Sequence, residues 1–504
     1  MSQSIYDVLQ TGDPDATAIA APGRPALTYA GLRRQAADTV AALNGRGIGR
    51  GDRVAIVLPN GPEMASAFLS VGSGATTAPL NPAYRNEEFE FYLRDLGARA
   101  VMVESGSTNP VLAVARGLGL EIVEIAWDEA TPAGRFNIVG AAPTGASGAM
   151  AGSEDIALLL HTSGTTSRPK LVPLLHRNVV ASARHISTTL ALTSQDRCLN
   201  IMPLFHIHGL MAATLASVTA GSSVFCCPGF NALRFFAWLE EAQASWYTAV
   251  PTMHQAILAR AARNRDVVER TPLRFIRSSS ASLPPAVMQE LEATFRAPVI
   301  ESYGMTEAAH QMASNPLPPA ARKPGSVGVA AGPEVRVMDE DGRLLATGMT
   351  GEVVIRGPNV TPGYESNPSA NTTAFTDGWF RTGDQGILDA EGYLTITGRL
   401  KEIINRGGEK VAPSEVDNVI QDHPAVQQVV TFAMPHPKLG EEVAAAVVLR
   451  EGMEASAQEI RGFAATRLAD FKVPRHILFL EEIPKGATGK MQRIGLAEKL
   501  GLSG

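Results

Sequence analysis

A short loop of this chain combines the groups that bind phosphate. The apolar run of residues 156–160 is followed by a loop over residues 162–170, which carries five hydroxyl groups, one glycine and the terminal Lys170. The run is short, apolar and bounded by turn-forming residues, which predicts a buried strand. Small residues allow backbone N–H groups to approach a polyanion closely, and the lysine adds a positive charge. The pattern therefore predicts a phosphate-binding loop, with a polar surface loop as the alternative.

Further segments carry polar groups that suit a nucleotide. Residues 303–307 supply a tyrosine ring that can stack on a purine and, at Glu307, a carboxylate that can face phosphates through Mg²⁺. Asp384 can accept hydrogen bonds from both hydroxyls of a ribose, and Arg399 can add a second ribose or phosphate contact. Lys490 lies in a glycine-containing loop near the C-terminus. Each segment alone has an ordinary alternative, namely a core tyrosine, a Gly-Asp turn or a solvated basic turn.

Histidines and serines gather on other loops. Three of the ten histidines, His206, His208 and His310, follow predicted strands, and residues 278–282 contain a run of serines. Imidazole and hydroxyl groups can hydrogen-bond an anion, whereas a fatty-acid pocket should be lined by apolar side chains. The pattern favours a site for a small anion. The alternative is that these histidines only gate the pocket or satisfy backbone groups.

Strands that alternate with helices must position these groups. Up to Gly325 the hydrophobic pattern predicts parallel βαβ units, and a helix over residues 178–190, with Asn178 as its N-cap, follows the phosphate-binding loop. A strand over residues 299–301 is predicted to lead into the segment that contains Tyr303. Ligands of an open α/β sheet bind beyond the carboxyl ends of its strands, so the polar loops should gather at one edge.

The pattern changes twice in the later part of the chain. After Gly325, shorter strands with Gly/Asp turns predict a β-rich subdomain, and beyond residues 399–402 the chain becomes a short α+β segment. The predicted fold class is α/β. It comprises a large N-terminal domain of βαβ subdomains plus a β-rich subdomain, residues 1–398, and a small mobile α+β C-terminal domain, residues 399–504.

Composition limits the classes of function. A chain of 504 residues should form two or more domains, and 45% hydrophobic with 19% charged residues is typical of a soluble globular protein. A net charge of −6 without a long basic run argues against a nucleic-acid partner. No signal peptide or membrane-spanning stretch is visible, so no integral membrane association is expected. Three cysteines without metal or redox spacing favour a reduced compartment, and we expect a cytoplasmic protein.

Residues 162–170 resemble the phosphate-binding loop of the adenylate-forming acyl-CoA synthetases, the ANL superfamily of AMP-binding enzymes. Ser167 and Leu171 stand where glycine is usual in that family. The other segments occur in the family's order, from residue 29 to residue 493. The resemblance implies an acid–thiol ligase that uses ATP, Mg²⁺, coenzyme A and a carboxylic acid. The carboxylate attacks the α-phosphate of ATP and releases pyrophosphate, and the CoA thiol then displaces AMP from the acyl-adenylate.

The resemblance also implies roles for individual residues. For ATP and AMP binding it implies Thr162, Ser163, Gly164, Thr165, Thr166, Lys170, Ser280, Ala281, Glu301, Ser302, Tyr303, Gly304, Met305, Thr306, Asp384 and Arg399. The metal ligands would be Glu307 and Thr165, and the catalytic residues Lys490, Thr306 and His206. The C-terminal domain would rotate about a hinge at Lys401 between the two steps, so that Lys490 leaves the site and the CoA-binding residues enter it. Those CoA-binding residues would be Gly407, Gly408, Glu409 and Lys410.

Several segments look more specifically like the oxalate–CoA ligases of plants and fungi; they are residues 161–170, 203–209, 246–252, 305–312 and 402–410. Ser167 also agrees with that subgroup. This closer resemblance implies oxalate as the acid and an acyl pocket formed by His206, His208, Ser279, Ser280 and His310. Malonate and a medium-chain fatty acid remain alternative substrates. A carrier-loading adenylation enzyme and a non-catalytic nucleotide sensor are the alternatives of other classes.

Overall fold

The structure is a computed structural model, and it describes residues 4–140, 149–162, 169–484 and 491–502. Within these ranges the chain forms four β-sheets with helices packed around them. Five of the residues predicted for the site lie outside the described ranges, and they are Ser163, Gly164, Thr165, Thr166 and Lys490.

A seven-stranded sheet with the order β7-β6-β5-β3-β4-β8-β9 begins the fold. Its two edge pairings are antiparallel and the pairings between them are parallel. The elements up to β9 are α1 (Ile5–Leu9), β1 (Thr17–Ala20), β2 (Leu27–Thr28), α2 (Tyr29–Gly45), β3 (Arg53–Val57), α3 (Pro62–Val71), β4 (Thr76–Pro79), α4 (Asn86–Asp95), β5 (Ala100–Glu104), α5 (Val111–Gly117), β6 (Glu121–Ala126), β7 (Asn137–Ile138), β8 (Ile156–His161) and β9 (Leu171–Leu175).

A nine-stranded sheet follows, and its order is β16-β15-β14-β13-β12-β10-β11-β1-β2. The run from β14 to β1 is parallel. The new elements are α6 (His176–Thr189), β10 (Arg197–Asn200), a π-helix (His208–Leu215), α7 (Ala216–Thr219), β11 (Ser223–Cys226), α8 (Phe235–Ala242), β12 (Trp246–Ala249), α9 (Pro251–Ala261), α10 (Arg265–Arg270), β13 (Phe275–Ser278), α11 (Pro285–Phe295), β14 (Val299–Met305), a 3₁₀ turn (Thr306–Ala308), β15 (His310–Ser314) and β16 (Val329–Ala330).

Two five-stranded sheets complete the chain. The first is antiparallel and contains β17 (Glu334–Met338), β18 (Thr350–Arg356), β19 (Phe375–Thr376), β20 (Trp379–Leu388) and β21 (Leu394–Arg399), with α12 (Pro368–Ala374) beside it. The second contains β22 (Ile404–Arg406), β23 (Glu409–Val411), α13 (Pro413–Gln421), β24 (Val426–His436), β25 (Gly440–Leu449), α14 (Ala457–Ala465), a 3₁₀ turn (Asp470–Lys472), β26 (His476–Phe479) and α15 (Leu496–Lys499). The chain passes from one sheet to the other between Arg399 and Ile404.

The parallel strands are apolar because protein covers both of their faces. The four central residues of β8 are buried, and every residue of α3 is buried against the sheets. Of the polar segments, the serine run begins at the end of β13 and Glu307 follows the end of β14, whereas Tyr303 and Asp384 lie within strands. Within the described ranges, no helix combines the length and the apolar character that crossing a membrane would require.

The structure corrects three local predictions. Asn178 is not the N-cap of α6, because that helix begins two residues earlier, at His176. The side chain of Asn178 instead accepts a hydrogen bond from the Leu175 N–H (2.9 Å) and donates to the carbonyl oxygens of Pro358 and Val360. An asparagine in the first turn can therefore serve tertiary contacts as well as the helix end, which sequence position alone does not distinguish.

The other two corrections concern strands. Between the phosphate-binding loop and α6 lies β9, which we did not predict and which pairs antiparallel with β8. Leu171 opens this strand and is buried, so its departure from the family's glycine supplies core contacts. β14 also continues through Ser302 to Met305, because its end pairs with β15 instead of entering a loop.

Candidate active site

The β8–β9 hairpin fixes the two ends of the phosphate-binding loop. The Thr162 N–H donates to the Lys170 carbonyl oxygen (2.9 Å), and the Lys170 N–H donates to the Thr162 hydroxyl (3.1 Å). The Lys170 amine lies 4.3 Å from the centroid of the Tyr364 ring, a cation–π distance. Burial lowers the pKa of Lys170, Glu307 raises it and Lys401 lowers it further. The first and last residues of the loop are therefore hydrogen-bonded to each other, and the last of them, Lys170, lies over an aromatic ring.

Glu307 contacts Tyr364, the same residue that Lys170 contacts. It lies in the 3₁₀ turn after β14, is 5% exposed and accepts a hydrogen bond from the Tyr364 hydroxyl (2.8 Å). Burial raises the pKa of Glu307, and the Tyr364 hydrogen bond opposes that rise. Sequence inspection missed Tyr364, although its position directly after a Pro-Gly pair offered a turn signal.

Tyr303, Asp384 and Arg399 form one hydrogen-bonded group. The Tyr303 hydroxyl donates to Asp384 Oδ2 (2.5 Å) and Arg399 Nε donates to Asp384 Oδ1 (3.0 Å). Asp384 and Arg399 are register partners on β20 and β21, so the antiparallel pairing itself brings them together. Asp384 raises the pKa of Arg399, and burial raises the pKa of Tyr303. Three residues that lie 15 to 96 positions apart in the chain thus share one carboxylate.

A cavity of about 300 Å³ lies beside this group, and residues from both the N-terminal and the C-terminal part of the chain line it. Its lining includes Ser280, Ala281, Glu301, Ser302, Tyr303, Gly304, Asp384 and Arg399 from the predicted set. Asp417, Met491 and Arg493 line it from the C-terminal part, and Arg493 pairs with Asp417 (2.6 Å) and Glu402 (3.5 Å). Met491 directly follows Lys490, which itself lies outside the described residues.

Gly304 lies in the cavity lining at a point where the backbones of β14 and β15 approach each other too closely for a side chain. A Cβ atom on Gly304 would lie 1.7 Å from the carbonyl oxygen of His310, so a side chain there would separate β14 from β15. Met305 pairs with His310 in this ladder, and the carbonyl oxygen of Thr306 accepts a hydrogen bond from the Ala309 N–H.

The residues predicted for coenzyme A lie elsewhere. Gly407, Gly408, Glu409 and Lys410 form the exposed β22–β23 hairpin and do not belong to the cavity lining. Lys401 is exposed and follows β21 by two residues. The structure therefore brings eight of the nucleotide candidates to one cavity and leaves the coenzyme A candidates on the surface. The other nucleotide candidates that are described do not belong to the cavity lining, and they are Thr162, Lys170, Met305 and Thr306.

His208, His310 and Ser280 form a second group beside the nucleotide candidates. The His208 and His310 rings stack with their centroids 5.0 Å apart, and both side chains are buried. His208 Nδ1 lies 3.0 Å from Ser280 Oγ, and His208 Nε2 lies 2.6 Å from Thr248 Oγ1. The His206 ring packs against Phe205 at 4.6 Å. Sequence inspection did not assign Thr248 a role.

The structure separates the two candidate serines. Ser279 is buried and its hydroxyl donates to the Ser302 carbonyl oxygen (3.0 Å), whereas Ser280 lines the cavity. Ser280 has φ = +74°, and Ala309 and His310 also have positive φ values of 47° and 98°. Left-handed non-glycine residues carry backbone strain and cluster at functional sites. Of the two, Ser280 is therefore the serine that is open to the cavity.

Glu301 is a buried carboxyl group next to these serines. Its Oε1 accepts a hydrogen bond from the Leu283 N–H (2.9 Å), and Oε2 has no hydrogen-bond partner among the described residues. Burial raises the pKa of Glu301 to about 8. Glu301 is accordingly protonated and neutral in the folded protein at pH 7.

Stability should therefore depend on pH through Glu301. Between its ordinary value and about 8 the unfolded chain loses this proton and the folded chain keeps it, so rising pH removes stability at about 1.4 kcal/mol per pH unit. Glu301→Gln should match the wild type near pH 5 and become more stable by a few kcal/mol near pH 8. Unfolding midpoints measured between pH 5 and pH 9 test this, and a gap that is constant with pH would contradict it.

Comparison with known proteins identifies the family. The model of the AMP-binding enzyme family matches residues 9–365, and that of the AMP-binding enzyme C-terminal domain matches residues 415–490. The chain is 44% identical to an oxalate–CoA ligase of Arabidopsis thaliana, over 95% of each chain. It is 43% identical to an oxalate–CoA ligase of Saccharomyces cerevisiae, over 89% of this chain and 87% of the relative.

A solved structure agrees with this assignment over the whole fold. The ATP-bound MatB of Rhodopseudomonas palustris superposes with a TM-score of 0.90, at 30% identity and over 99% of both chains. The predicted α/β class, with a large N-terminal and a small C-terminal domain, is thereby confirmed. The chain belongs to the AMP-binding enzyme family, the ANL superfamily of adenylate-forming acyl-CoA synthetases.

Proposed function

We propose that this protein is an ATP-dependent oxalate–CoA ligase. One carboxylate of oxalate attacks the α-phosphorus of ATP and displaces pyrophosphate, which gives oxalyl-adenylate. The thiol of coenzyme A then attacks the acyl carbon, loses its proton and displaces AMP. The observation that carries the choice of acid is the stacked pair of buried rings, His208 and His310, with His208 in contact with the cavity-lining Ser280. Two relatives named oxalate–CoA ligase, at 44% and 43% identity, support it.

The geometry supports a division of roles within the nucleotide site. Asp384 accepts from the ribose hydroxyls, with Arg399 and Tyr303 holding its carboxylate in place. Ser280, Ala281 and residues 301–304, which line the cavity, surround the remainder of AMP, and Met305 and Thr306 continue that segment. Thr162, Lys170 and residues 163–166 hold the phosphates, as a loop of backbone N–H groups and hydroxyls can. Lys490 stabilises the charge on the α-phosphoryl group, and the adjacent Met491 in the cavity lining supports its approach.

A magnesium ion fits the carboxylate of Glu307. Mg²⁺ takes few protein ligands and completes its shell with water and phosphate oxygens, so one buried carboxylate beside the phosphate-binding loop is a suitable donor set. Glu307, with the Thr165 hydroxyl, would hold the ion. When bound, the ion neutralises phosphate charge. The Tyr364 hydroxyl fixes the orientation of the Glu307 carboxylate, and Lys170 supplies the second positive charge.

We further propose that residues 399–504 move as a domain about Lys401 between the two steps. The cavity lining contains Met491 and Arg493 but not the Gly407–Gly408 hairpin, an arrangement suited to the first step. Rotation would exchange the two segments and bring residues 407–410 to coenzyme A. Polar contacts between the two parts include Gln255 Nε2 to the Gln427 carbonyl oxygen (3.2 Å) and the Ser414 hydroxyl to the Thr397 carbonyl oxygen (2.8 Å), and such hydrogen bonds can be exchanged when a domain rotates.

The cytoplasm is the compartment that we propose for this reaction. Cys198, Cys226 and Cys227 are buried free thiols, which suit a reducing environment.

The acid preference can be measured directly. CoA-dependent AMP release should be highest with oxalate in a panel that includes malonate, acetate, octanoate and coumarate. His310→Ala should lower kcat/KM for oxalate by about 10- to 100-fold, because the pocket loses a buried hydrogen-bonding ring. ATP binding, followed by calorimetry, should be unchanged.

His476→Ala, at an exposed position of β26, is the control and should retain wild-type turnover. A wild-type enzyme that prefers octanoate and ignores oxalate would overturn the proposed substrate while leaving the family assignment intact.

A further inference from the structure

Arg277 is a buried cation without an acidic partner. It lies on β13, is 0% exposed, and forms no ion pair within the described ranges. The remaining residues, 1–3, 141–148, 163–168, 485–490 and 503–504, include no aspartate or glutamate. A charge buried without a counter-ion is costly, so an anion that binds nearby is favoured. Sequence inspection missed this residue, although an arginine between Ile276 and a serine run is unusual for a buried strand.

The side-chain contacts of Arg277 include His208, whose ring contacts the cavity-lining Ser280. Nη1 lies 3.4 Å from both His208 Nε2 and Thr248 Oγ1, and Nη2 lies 3.5 Å from Gln311 Oε1. Nε has no hydrogen-bond partner among the described residues. These bonds are long, so the guanidinium is held loosely by neutral groups. Burial lowers the pKa of Arg277 to about 9, which still leaves it positively charged at pH 7.

This arrangement determines where the proton of His208 lies. A guanidinium donates hydrogen bonds and cannot accept them, so its contact with His208 Nε2 favours the tautomer in which that nitrogen is the acceptor. Thr248 Oγ1 accepts from Arg277 and can donate its own proton to the same nitrogen, 2.6 Å away. The ring proton of neutral His208 is then on Nδ1, from which it is donated to Ser280 Oγ (3.0 Å). Ser280 keeps its hydroxyl proton for a ligand in the cavity.

We propose that Arg277 is a positioning residue that makes the acyl pocket selective for an acid with a second carboxylate. Arg277 sets the tautomer of His208, and that tautomer leaves the Ser280 hydroxyl free to donate a hydrogen bond to the acid. The guanidinium also places a positive charge near the Ser280 hydroxyl. This inference rests on the proposed function, because oxalate is the acid with a second carboxylate at the required short distance. The strained backbone of Ser280, with φ = +74°, holds the donor in place.

The test compares Arg277→Met and Arg277→Lys with the wild type in ATP–pyrophosphate exchange. Arg277→Met should raise KM for oxalate at least about tenfold, as expected for a lost charge-assisted interaction, and leave KM for ATP within about twofold. Arg277→Lys should restore part of the oxalate affinity, since it keeps the charge. Oxamate, in which a neutral amide replaces the second carboxylate, serves as an inhibitor. Its inhibition constant should change little in Arg277→Met.

Arg197→Met is the matched control. Arg197 lies on β10 of the same sheet, and its side chain binds Ser223 and the Ala242 carbonyl oxygen. This variant should keep the wild-type KM for oxalate. Thermal unfolding of all variants verifies that they fold.

Three outcomes would overturn the inference. In the first, folded Arg277→Met keeps the wild-type KM for oxalate. In the second, KM for oxalate and the oxamate constant rise together, which indicates a general packing role. In the third, Arg277→Lys performs no better than Arg277→Met, so the charge is irrelevant. A wild-type enzyme that turns over octanoate but not oxalate is a distinct result, because it removes the proposed function and this inference with it.

Discussion

Asp384→Asn should weaken AMP and ATP binding by about 10- to 100-fold, the cost of losing a charge-assisted hydrogen-bond acceptor. The Asp384 carboxylate accepts from Tyr303 and Arg399 at 2.5 and 3.0 Å, so it is held in one orientation before nucleotide binds. The amide has one acceptor oxygen where the carboxylate has two, and its NH₂ group would face a donor. Calorimetric titration with AMP measures the effect.

Asp389→Asn provides the control for that experiment. Asp389 follows β20 and pairs with Lys323 at the surface (2.6 Å), so its loss removes an aspartate near the same strand without touching the cavity. It should bind AMP like the wild type. Wild-type AMP affinity in a folded Asp384→Asn protein would show that the Tyr303–Asp384–Arg399 group is structural only.

Glu307→Gln should lower the rate of adenylate formation by two to three orders of magnitude. The substitution keeps the shape and the Tyr364 hydrogen bond but removes a negative charge that lies beside Lys170. A neutral amide is a poor ligand for Mg²⁺, so the phosphates would lose part of their charge neutralisation, and effects of this kind are worth about 3 to 4 kcal/mol in active sites. ATP–pyrophosphate exchange at several Mg²⁺ concentrations gives both the rate and the metal dependence.

Tyr364→Phe tests the orientation of the Glu307 carboxylate separately from its negative charge. This variant keeps Glu307 ionisable and the aromatic ring under Lys170, and it deletes only the hydroxyl that donates to the carboxylate. We expect a loss of about tenfold or less, in line with one hydrogen bond. Equal losses in the two variants would assign the effect to orientation, and an unchanged Mg²⁺ dependence in Glu307→Gln would remove Glu307 from the metal site.

The family and the α/β class were predictable because their signals are local. The apolar run before the phosphate-binding loop lies in β8 and is buried, as its composition indicated. The segment at Tyr303 lines the cavity, but its strand continues to Met305 because β15, which begins at His310, supplies an antiparallel partner that the polar composition of the segment does not indicate. Asn178 was misplaced for a similar reason, since its side chain satisfies carbonyl groups some 180 residues away.

The sequence by itself determined that the chain is an adenylate-forming enzyme, because the residues that touch phosphate and nucleotide lie in short contiguous segments with distinctive composition. Only the tertiary structure decided which serine faces the cavity and which cation stands behind it. Ser279 and Ser280 are neighbours of the same type, and only Ser280 has the left-handed backbone that turns it toward His208. Arg277 is informative only when seen buried, without a carboxylate partner and in contact with groups from three other strands or helices. Burial and hydrogen-bond pairing are properties of the packed chain, so no pattern of neighbouring residues could reveal them.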